Sequence, residues 1–589
     1  MASINRSQQI KNIFQKYNMT PRNVLYIITL TCIVCIPFGS NAQSIPVGTI
    51  VLEDAYRRAQ LLGEVDSSIS FTSRPLFPTA SINVNNAFDP LGTLVKERRA
   101  KTDGIFRFLK EKGTIQLLPF IWQQQFNTDH PYSLNDGPMI PARGYQTLFS
   151  GGFYASFGPL SIQLRPEYVY AENKDYQGFY KEMDDIRWFD YYEVQLFSDL
   201  PEKFGTKSYK KLLWGQSSIR LTVGPVSFGL SNENLWWGPG MRNSLVMSNA
   251  SDGFSHYTLN TVKPIRTPIG SFEGQIIAGR LENSGFDVPD TMRTVASWDN
   301  YRIYQRKRDE WRYINAMVLS YQPKWIPGLF LGMTRSFTKY GSQKDSSFRA
   351  LFPVFFPLER KKQIDLPNRP KGPDQRVSAF IRWLCVPENA EVYFEFMREN
   401  QPDSWRDYTL MPRYSSAYIF GLRKMIALNR HKGQFIQINV ELTQLEQTNA
   451  NPNWLYRYLY TNKTVTQGYT NNGQLLGAAI GPGSNLQSLT VSWINGLKII
   501  GLQFERYVHN NDFQNVSIQN YRANWIDMSA TGIVEWNWQN ILFSARLENV
   551  LSYDYEHFYR PQNPNSGKFF EPGINIYNFQ AQIGVTYRF

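Results

Sequence analysis

The segment Ser231-Asn-Glu-Asn-Leu-Trp-Trp-Gly-Pro-Gly-Met-Arg-Asn-Ser-Leu-Val-Met-Ser-Asn-Ala250, followed by Gly253-Phe254-Ser255-His256, concentrates side chains able to hold a polyhydroxylated ligand. Trp236 and Trp237 offer flat apolar faces that stack on sugar rings. Glu233, Arg242, Asn243 and His256 supply carboxylate, guanidinium, amide and imidazole groups that bond ring hydroxyls. A second segment, Gln467-Gly-Tyr-Thr-Asn-Asn-Gly-Gln-Leu-Leu-Gly-Ala-Ala-Ile-Gly-Pro-Gly-Ser-Asn485, adds Tyr469, Asn471, Asn472 and Gln474 of the same chemistry. A plainer reading stands beside this one. Gly238, Pro239 and Gly240 enforce a tight turn, and adjacent tryptophans in an extended segment face opposite ways, so one of them could simply face lipid as an interfacial residue.

Catalysis finds less support. The five histidines are His130, His256, His431, His509 and His557. Ser255 and His256 are neighbours whose side chains diverge in a strand, His431 reads as part of an exposed turn, and His557 lies in a loop with no accompanying motif. No HExxH, GxSxG or metal-ligand spacing is present. The expectation is a protein that is not an enzyme and uses no metal or cofactor.

These segments need elements to position them, and the chain supplies strands. From Tyr577 to Phe589, Tyr577, Phe579, Ala581, Ile583, Val585, Tyr587 and Phe589 share one face and polar or small residues the other. The same period of two recurs at 162–170, 436–443 and 541–548. Tyr587 and the final Phe589 resemble the insertion signal of bacterial outer-membrane barrels. At the other end, Arg6, Lys11, Lys16 and Arg22 precede an apolar run from Val24 to Phe38 and small residues to Ala42, the pattern of a cleaved signal peptide over 1–42. Cys32 and Cys35 leave with it, so Cys385 is the sole mature cysteine and no intrachain disulfide can form.

Aromatics are 15% of the chain while the mean hydropathy is negative, as expected when every outward apolar residue has a polar neighbour. The formal charge of +13 falls to +9 without the four basic residues of the signal. On an exported chain this points to lipopolysaccharide phosphates or acidic polysaccharide rather than nucleic acid. Residues 43–113, with a short helix at Val51–Gly63, read as a periplasmic or lumen-filling region, and 114–589 as an all-β transmembrane antiparallel barrel. Short connections (Gly158-Pro159, Pro387-Glu388-Asn389, Asn495-Gly496, Gln539-Asn540) alternate with long ones near 283–311, 341–375, 447–486 and 553–576. Strands near 114–126, 145–157, 161–172 and 186–197 bring the count to an odd nineteen. An exported single-chain barrel normally has an even number, so the expectation is about 16 to 18, with the conflict located in 173–215.

The Glu-Asn-Leu-Trp-Trp-Gly-Pro-Gly string, the elements after it and the later Gly-rich block together resemble the Wzi-type capsule-assembly outer-membrane proteins, in the style of a Bacteroidetes-like branch. That resemblance implies a monomeric outer-membrane barrel that attaches capsular or other surface polysaccharide in a lectin-like manner. Its partners would be that polymer, outer-membrane lipid and lipopolysaccharide, and the barrel-assembly machinery. The basic residues of 341–376 (Lys344, Arg349, Arg360, Lys361, Lys362, Arg369, Lys371 and Arg376) would attract an acidic chain or touch lipopolysaccharide. A diffusion channel, an envelope-assembly scaffold and an outer-membrane hydrolase are the alternatives.

Overall fold

The computed structural model describes residues 43–82, 84, 86–89, 105–108, 113–343, 347–356, 374–399, 406, 409, 415–447, 458–519, 523–558 and 574–589. The signal-peptide reading of 1–42 lies outside them, as do Lys344, Arg360, Lys361, Lys362, Arg369 and Lys371 of the basic loop.

Strands run in simple succession. They are β1 (Gly113–Asn127), β2 (Gly144–Phe157), β3 (broken into Leu160–Leu164 and Glu167–Ala171), β4 (Tyr209–Leu213 and Ser218–Val223) and β5 (Val226–Ser231). Next come β6 (His256–Thr261 and Ile265–Thr267), β7 (Gly270–Leu281), β8 (Arg312–Pro323), β9 (Leu329–Tyr340), β10 (Asp374–Cys385) and β11 (Ala390–Glu399). The ring finishes with β12 (Ser416–Asn429), β13 (Gln434–Gln444), β14 (Asn485–Asn495), β15 (Lys498–Val508), β16 (Ile526–Trp538), β17 (Ile541–Tyr553) and β18 (Ile576–Tyr587). Each pairs antiparallel with the next, and β18 closes on β1 with Gln580 opposite Asn127 and Tyr587 opposite Phe120. The result is a closed barrel of eighteen strands. A further short strand, Ile105–Phe108, pairs with the start of β1, and closure of the ring pairs the wall strands with one another, the condition for a sheet to sit in lipid.

Side chains sort as the alternation requires. On β18, Asn578 and Gln580 face the lumen and are buried, while Tyr577, Ile583 and Tyr587 point outward. Leu319, Leu331, Ile381, Phe394, Leu502 and Phe543 continue the outward apolar band around the wall. Short turns and both ends of the wall sequence lie at one rim, the periplasmic one by barrel habit, and the long connections lie at the other.

Residues 186–197 correct the odd strand count. They form helix α2 (Asp185–Leu196) rather than a strand. Asp184 caps it by accepting from the Arg187 amide at 2.9 Å, and Trp188, Tyr192 and Gln195 recur at helical spacing on its buried face. Dense aromatics imitate strand composition here, but the cap and the period of 3.6 decide the outcome.

The lumen is occupied. The predicted helix forms as α1 (Ile50–Leu61) and lies inside the barrel. Leu52, Ala55, Tyr56 and Ala59 pack with Ile69, Phe71, Phe88, Leu118 and Leu542. Its other face is tied to the wall by charge. Arg57 pairs with Glu391 at 2.9 Å and Asp54 with Arg423 at 2.5 Å, while Glu391 also receives Arg382 at 2.6 Å and Arg423 at 3.4 Å. One buried carboxylate on β11 thus faces three guanidinium groups.

Glu391→Gln keeps the shape and removes the charge that three arginines share. Breaking a buried pair from one side costs about 3–5 kcal/mol. We expect a lower urea midpoint for the vesicle-inserted barrel and faster protease cleavage of the segment that follows α1. An unchanged midpoint would mean that the cluster contributes nothing to holding the helix.

Candidate functional site

Strand β5 ends at Ser231, and β6 begins at His256 directly opposite it. The intervening residues therefore leave the wall part-way up and turn into the lumen. There Trp236 and Trp237 form a two-residue strand against Arg74 and Ser73 of the N-terminal region. Neither tryptophan faces lipid, because the segment has departed from the wall before it reaches them. The Trp237 indole donates to Gln275 Oε1 at 3.0 Å and the Trp236 indole to the Gly240 carbonyl at 3.1 Å. The guanidinium of Arg74 lies over the Trp236 ring, 5.2 Å from its centroid. Gly238 has φ +122° and a Cβ there would meet Glu395 Oε2 at 2.6 Å, while at Gly240 a Cβ would meet the Asn243 carbonyl at 2.0 Å. The Gly-Pro-Gly turn is thus required by close approach.

Each polar residue of the block has an internal partner. Glu233, fully enclosed, accepts from Ser231 Oγ at 2.8 Å and from Arg220 of β4 and Ser44 of the N-terminal region. Arg242 grips Glu505 of β15 through two bonds of 2.8 and 2.7 Å. The amides of Met241, Arg242 and Asn243 all donate to the Glu441 carboxylate on β13, at 2.7 to 3.1 Å, and the Asn243 side chain reaches Thr443. His256 Nδ1 lies 2.8 Å from the Phe254 carbonyl.

The second block meets the first. Asn471 and Asn472 donate to the two carboxylate oxygens of Asp252 at 2.9 and 2.8 Å, and Ser248 N donates to the Leu476 carbonyl at 2.8 Å. Gln474 donates to the carbonyl of Met139 at 3.1 Å. Tyr469 is enclosed beneath the Arg376 guanidinium, 3.9 Å from its ring centroid. Leu235, Trp237, Leu245, Val246, Met247, Tyr469, Leu475 and Leu476 fuse the two blocks into one apolar core within the polar barrel. Among the ten residues singled out by sequence, Glu233, Trp236, Trp237, Asn243, His256, Tyr469, Asn471 and Gln474 are buried, while Arg242 and Asn472 are half-buried. The structure brings nine of the ten into the lumen plug, and His256, the first residue of β6, faces it from the wall. Sequence reasoning missed the carboxylates that hold them, Glu441 and Glu505 on the wall and Asp252 within the first segment itself. The wall pair was visible only as acidic residues on predicted lumen faces, whose partners in the plug the pattern cannot name. A cavity of about 220 Å³ remains between α1, Trp236, Arg242 and the wall residues Glu535, Arg546 and Gln582.

Above the plug, α2 with the residues before it, the segment after β7, the connection before β14 and the turn after β15 form an outer cap around Phe179, Trp188, Tyr192, Val295, Ile303, Tyr304, Tyr458 and Phe513, which the turn after β17 joins through His557 against Phe513. A hairpin projects from it, with Thr294–Val295 paired to Tyr301–Arg302. Trp298 and Tyr301 stay 45% and 43% exposed although both are fixed. Trp298 meets Phe189 of α2 edge-on at 5.0 Å, and the Tyr301 hydroxyl accepts from Gln305 at 2.6 Å. Asn300, Arg302 and Arg306 stand exposed beside them. These outward aromatics escaped sequence reading because they sit in a long polar connection with no motif. Among the described residues no cluster of three or more His, Cys, Asp or Glu could hold a metal ion. His431 is exposed in its turn, as its neighbours predicted.

The family model described as capsule assembly protein Wzi matches residues 140–551 of this chain. The chain belongs to the Wzi capsule-assembly family. The fold agrees: the barrel is similar to Wzi of Escherichia coli, whose structure is described as a carbohydrate-binding β-barrel of the outer membrane involved in group 1 capsule assembly. The TM-score is 0.54 at 12% identity, over 93% of this chain and 99% of that one. The crystal structure of OccAB1 of Acinetobacter baumannii aligns at 8% identity with a TM-score of 0.38, over 83% and 99% of the two chains. A search of curated proteins returned no match. As a Wzi-family barrel, the chain resides in the bacterial outer membrane, with its long connections outward.

One group in the cap predicts a pH response. Burial lowers the pKa of His557 to about 3, well below the ordinary 6.5. The folded cap therefore holds a neutral imidazole, with one nitrogen against the Ala523 carbonyl at 3.2 Å. Between pH 6.5 and about 3 the unfolded cap binds the extra proton, so stability is intact above 6.5 and declines as pH falls, by up to about 1.4 kcal/mol per pH unit. Glu556 beside it, pushed up by burial and by Glu202 and Asp527, has the opposite slope. The comparison that isolates the imidazole is wild type against His557→Gln. Amide exchange over 509–519 and 553–558, corrected for intrinsic rates, should quicken from pH 7 to pH 5 more in the wild type. Equal responses would remove His557 from the account.

Proposed function

We propose that this outer-membrane barrel attaches capsular or other surface polysaccharide to the cell through its outward cap, as a non-catalytic lectin. On this reading the Trp-Trp-Gly-Pro-Gly block and its Gly-rich partner serve the contact from below. Glu233, Trp236, Trp237, Asn243, His256, Tyr469, Asn471 and Gln474, with the half-buried Arg242 and Asn472, brace the plug on which the cap stands. Sugar is met by Trp298 and Tyr301, with Asn300, Arg302 and Arg306 bonding hydroxyls or acidic substituents. The observation that carries this reading is a filled lumen beneath a fixed, exposed aromatic pair in a member of the capsule-assembly family. Stacking needs a flat apolar face that is both accessible and immobile, and the hairpin supplies it. A long polymer touches many copies of the barrel at once, so weak individual contacts suffice for retention. Arginines at the contact make retention of an acidic polymer fall with salt.

The test is the partition of surface polysaccharide between cells and medium in a strain lacking this gene, complemented with wild type, with Trp298→Ala/Tyr301→Ala, or with Trp236→Ala/Trp237→Ala. The wild type should restore retention. The cap variant should release polymer while reaching the outer membrane in normal amount. The plug variant should lose retention together with folded barrel, since emptying two buried indole sites costs about 3–5 kcal/mol each. Normal retention by the cap variant would remove the hairpin from the contact. Unchanged partition in the deletion strain would remove the attachment function itself.

A further inference from the structure

The connection after β9 does not fold over the mouth where it is described. Arg312, Ile314, Ala316 and Val318 face the lumen from β8, so Tyr313 and Asn315 face outward. On β9, Thr334, Ser336 and Thr338 face inward, and Arg335, Phe337 and Lys339 face outward. An outward residue of a lone barrel meets its surroundings, yet Tyr313 is 6%, Asn315 0% and Phe337 3% exposed. Residues 347–356 cover them. Arg335 donates to the carbonyls of Val354 at 2.7 Å and Phe356 at 2.8 Å, Lys339 donates to that of Ala350 at 2.8 Å, and Asn315 Oδ1 accepts from the Val354 amide at 3.3 Å. Tyr313 bonds the Leu351 carbonyl. A short helix, Phe348–Leu351, capped by Ser347, and a 3-10 turn, Pro353–Phe355, lie flat against the outside of the barrel.

The far side of this clamp is apolar. Phe348 and Phe355 are 60% and 53% exposed, stack in parallel with centroids 6.2 Å apart, and are joined by Phe352. The guanidinium of the exposed Arg349 lies over Phe356. The height of the patch follows from the strand. Tyr321 and Tyr313 lie on the outward face of β8, eight residues apart, which is about 26 Å of strand. At a tilt of about 40° this spans about 20 Å of membrane normal, close to the apolar band of about 25 Å. The clamp sits at the upper edge of that band, continuous with the outward Leu319 and Leu331. We propose that residues 347–356 are a lipid-binding clamp, held to the wall by Arg335 and Lys339, whose Phe348 and Phe355 enter the outer leaflet at headgroup depth while the exposed Arg349 faces anionic headgroups. Aromatic side chains with flanking cations are the chemistry of the interface. The occupant is the lipid surface, because the patch extends the lipid-facing wall without a break.

The test uses nitroxides at Phe355→Cys and, separately, Phe348→Cys, each in a Cys385→Ser background, in phosphatidylcholine–phosphatidylglycerol vesicles. Leu331→Cys on the wall and Met292→Cys in the cap are the references, and a heat-shift gel confirms that each barrel is folded. The ratio of oxygen to water-soluble nickel-chelate collisions should exceed that at Met292→Cys several-fold at both clamp positions and lie between it and that at Leu331→Cys. Chelate access equal to that of Met292→Cys at both positions would overturn the clamp. Exclusion of both reagents at both positions would also overturn it, by placing protein, a second copy included, over the patch. The two positions are independent, so misfolding of one variant leaves the other decisive.

Discussion

Closing eighteen strands into one ring leaves a lumen whose wall is polar by construction, because alternation sends the apolar residues to lipid. Whatever fills that lumen must bind a polar surface. Glu391 shows the solution, a carboxylate on the wall with guanidinium groups around it, one of which, Arg57, belongs to the inserted helix. Glu441 repeats it with backbone amides of the Trp-Trp block, and Glu505 with Arg242. Ions taken out of water are costly unless paired and bonded, so each wall carboxylate accepts a plug segment in one position. The plug is therefore fixed to the wall by charge and consolidated by apolar contact among Trp237, Met247, Tyr469 and Leu476.

The same argument explains why the residues richest in binding chemistry are enclosed. Amides, carboxylates and guanidinium groups that can bond sugar hydroxyls can equally bond one another. Asn471 and Asn472 close on Asp252, and Asn234 closes on Asn249 and the Ser251 carbonyl. In a polar lumen such groups are the adhesive. Composition alone cannot separate a lectin surface from a plug that must bind a polar wall, since both are built from planar polar groups around aromatics.

Location and architecture were legible because each residue of a wall strand carries its own evidence. Tyr577 to Phe589 announces a two-sided strand wherever it is placed, and turns such as Asn495-Gly496 and Gln539-Asn540 mark the short rim. Asp185–Leu196 misled because its tryptophan, tyrosines and valine are also strand formers, and the deciding Asp184 cap is a single residue. The motif segments were legible as important and illegible as buried. Burial there depends on β5 stopping at Ser231, and the residues that follow contain nothing that forbids the strand from continuing to the outer rim. Trp298 and Tyr301 were invisible for the opposite reason, since their significance lies in how they are held, Trp298 by Phe189 of a separate connection and Tyr301 by Gln305 of its own.

The short β5 has a further consequence. Six residues rise about 20 Å, whereas β4 and β7 continue upward, so the wall above Ser231 lacks a regular strand. The departing chain fills that gap itself. Asn232 N donates to the Ser217 carbonyl at 2.9 Å, and Arg280 N reaches the Ser255 carbonyl at 3.0 Å. Gln216 exchanges two bonds with Asn234 at 3.0 and 3.1 Å. The first and last turns of the motif segment are thus wall, and its centre is plug. A displacement of the Trp-Trp turn would therefore be felt at the gap between β4 and β7 and, through Asp252 and Asn471, at the backbone of Glu282 where the cap connection begins. That continuity lets a buried motif set the position of an exposed surface without touching what the surface binds.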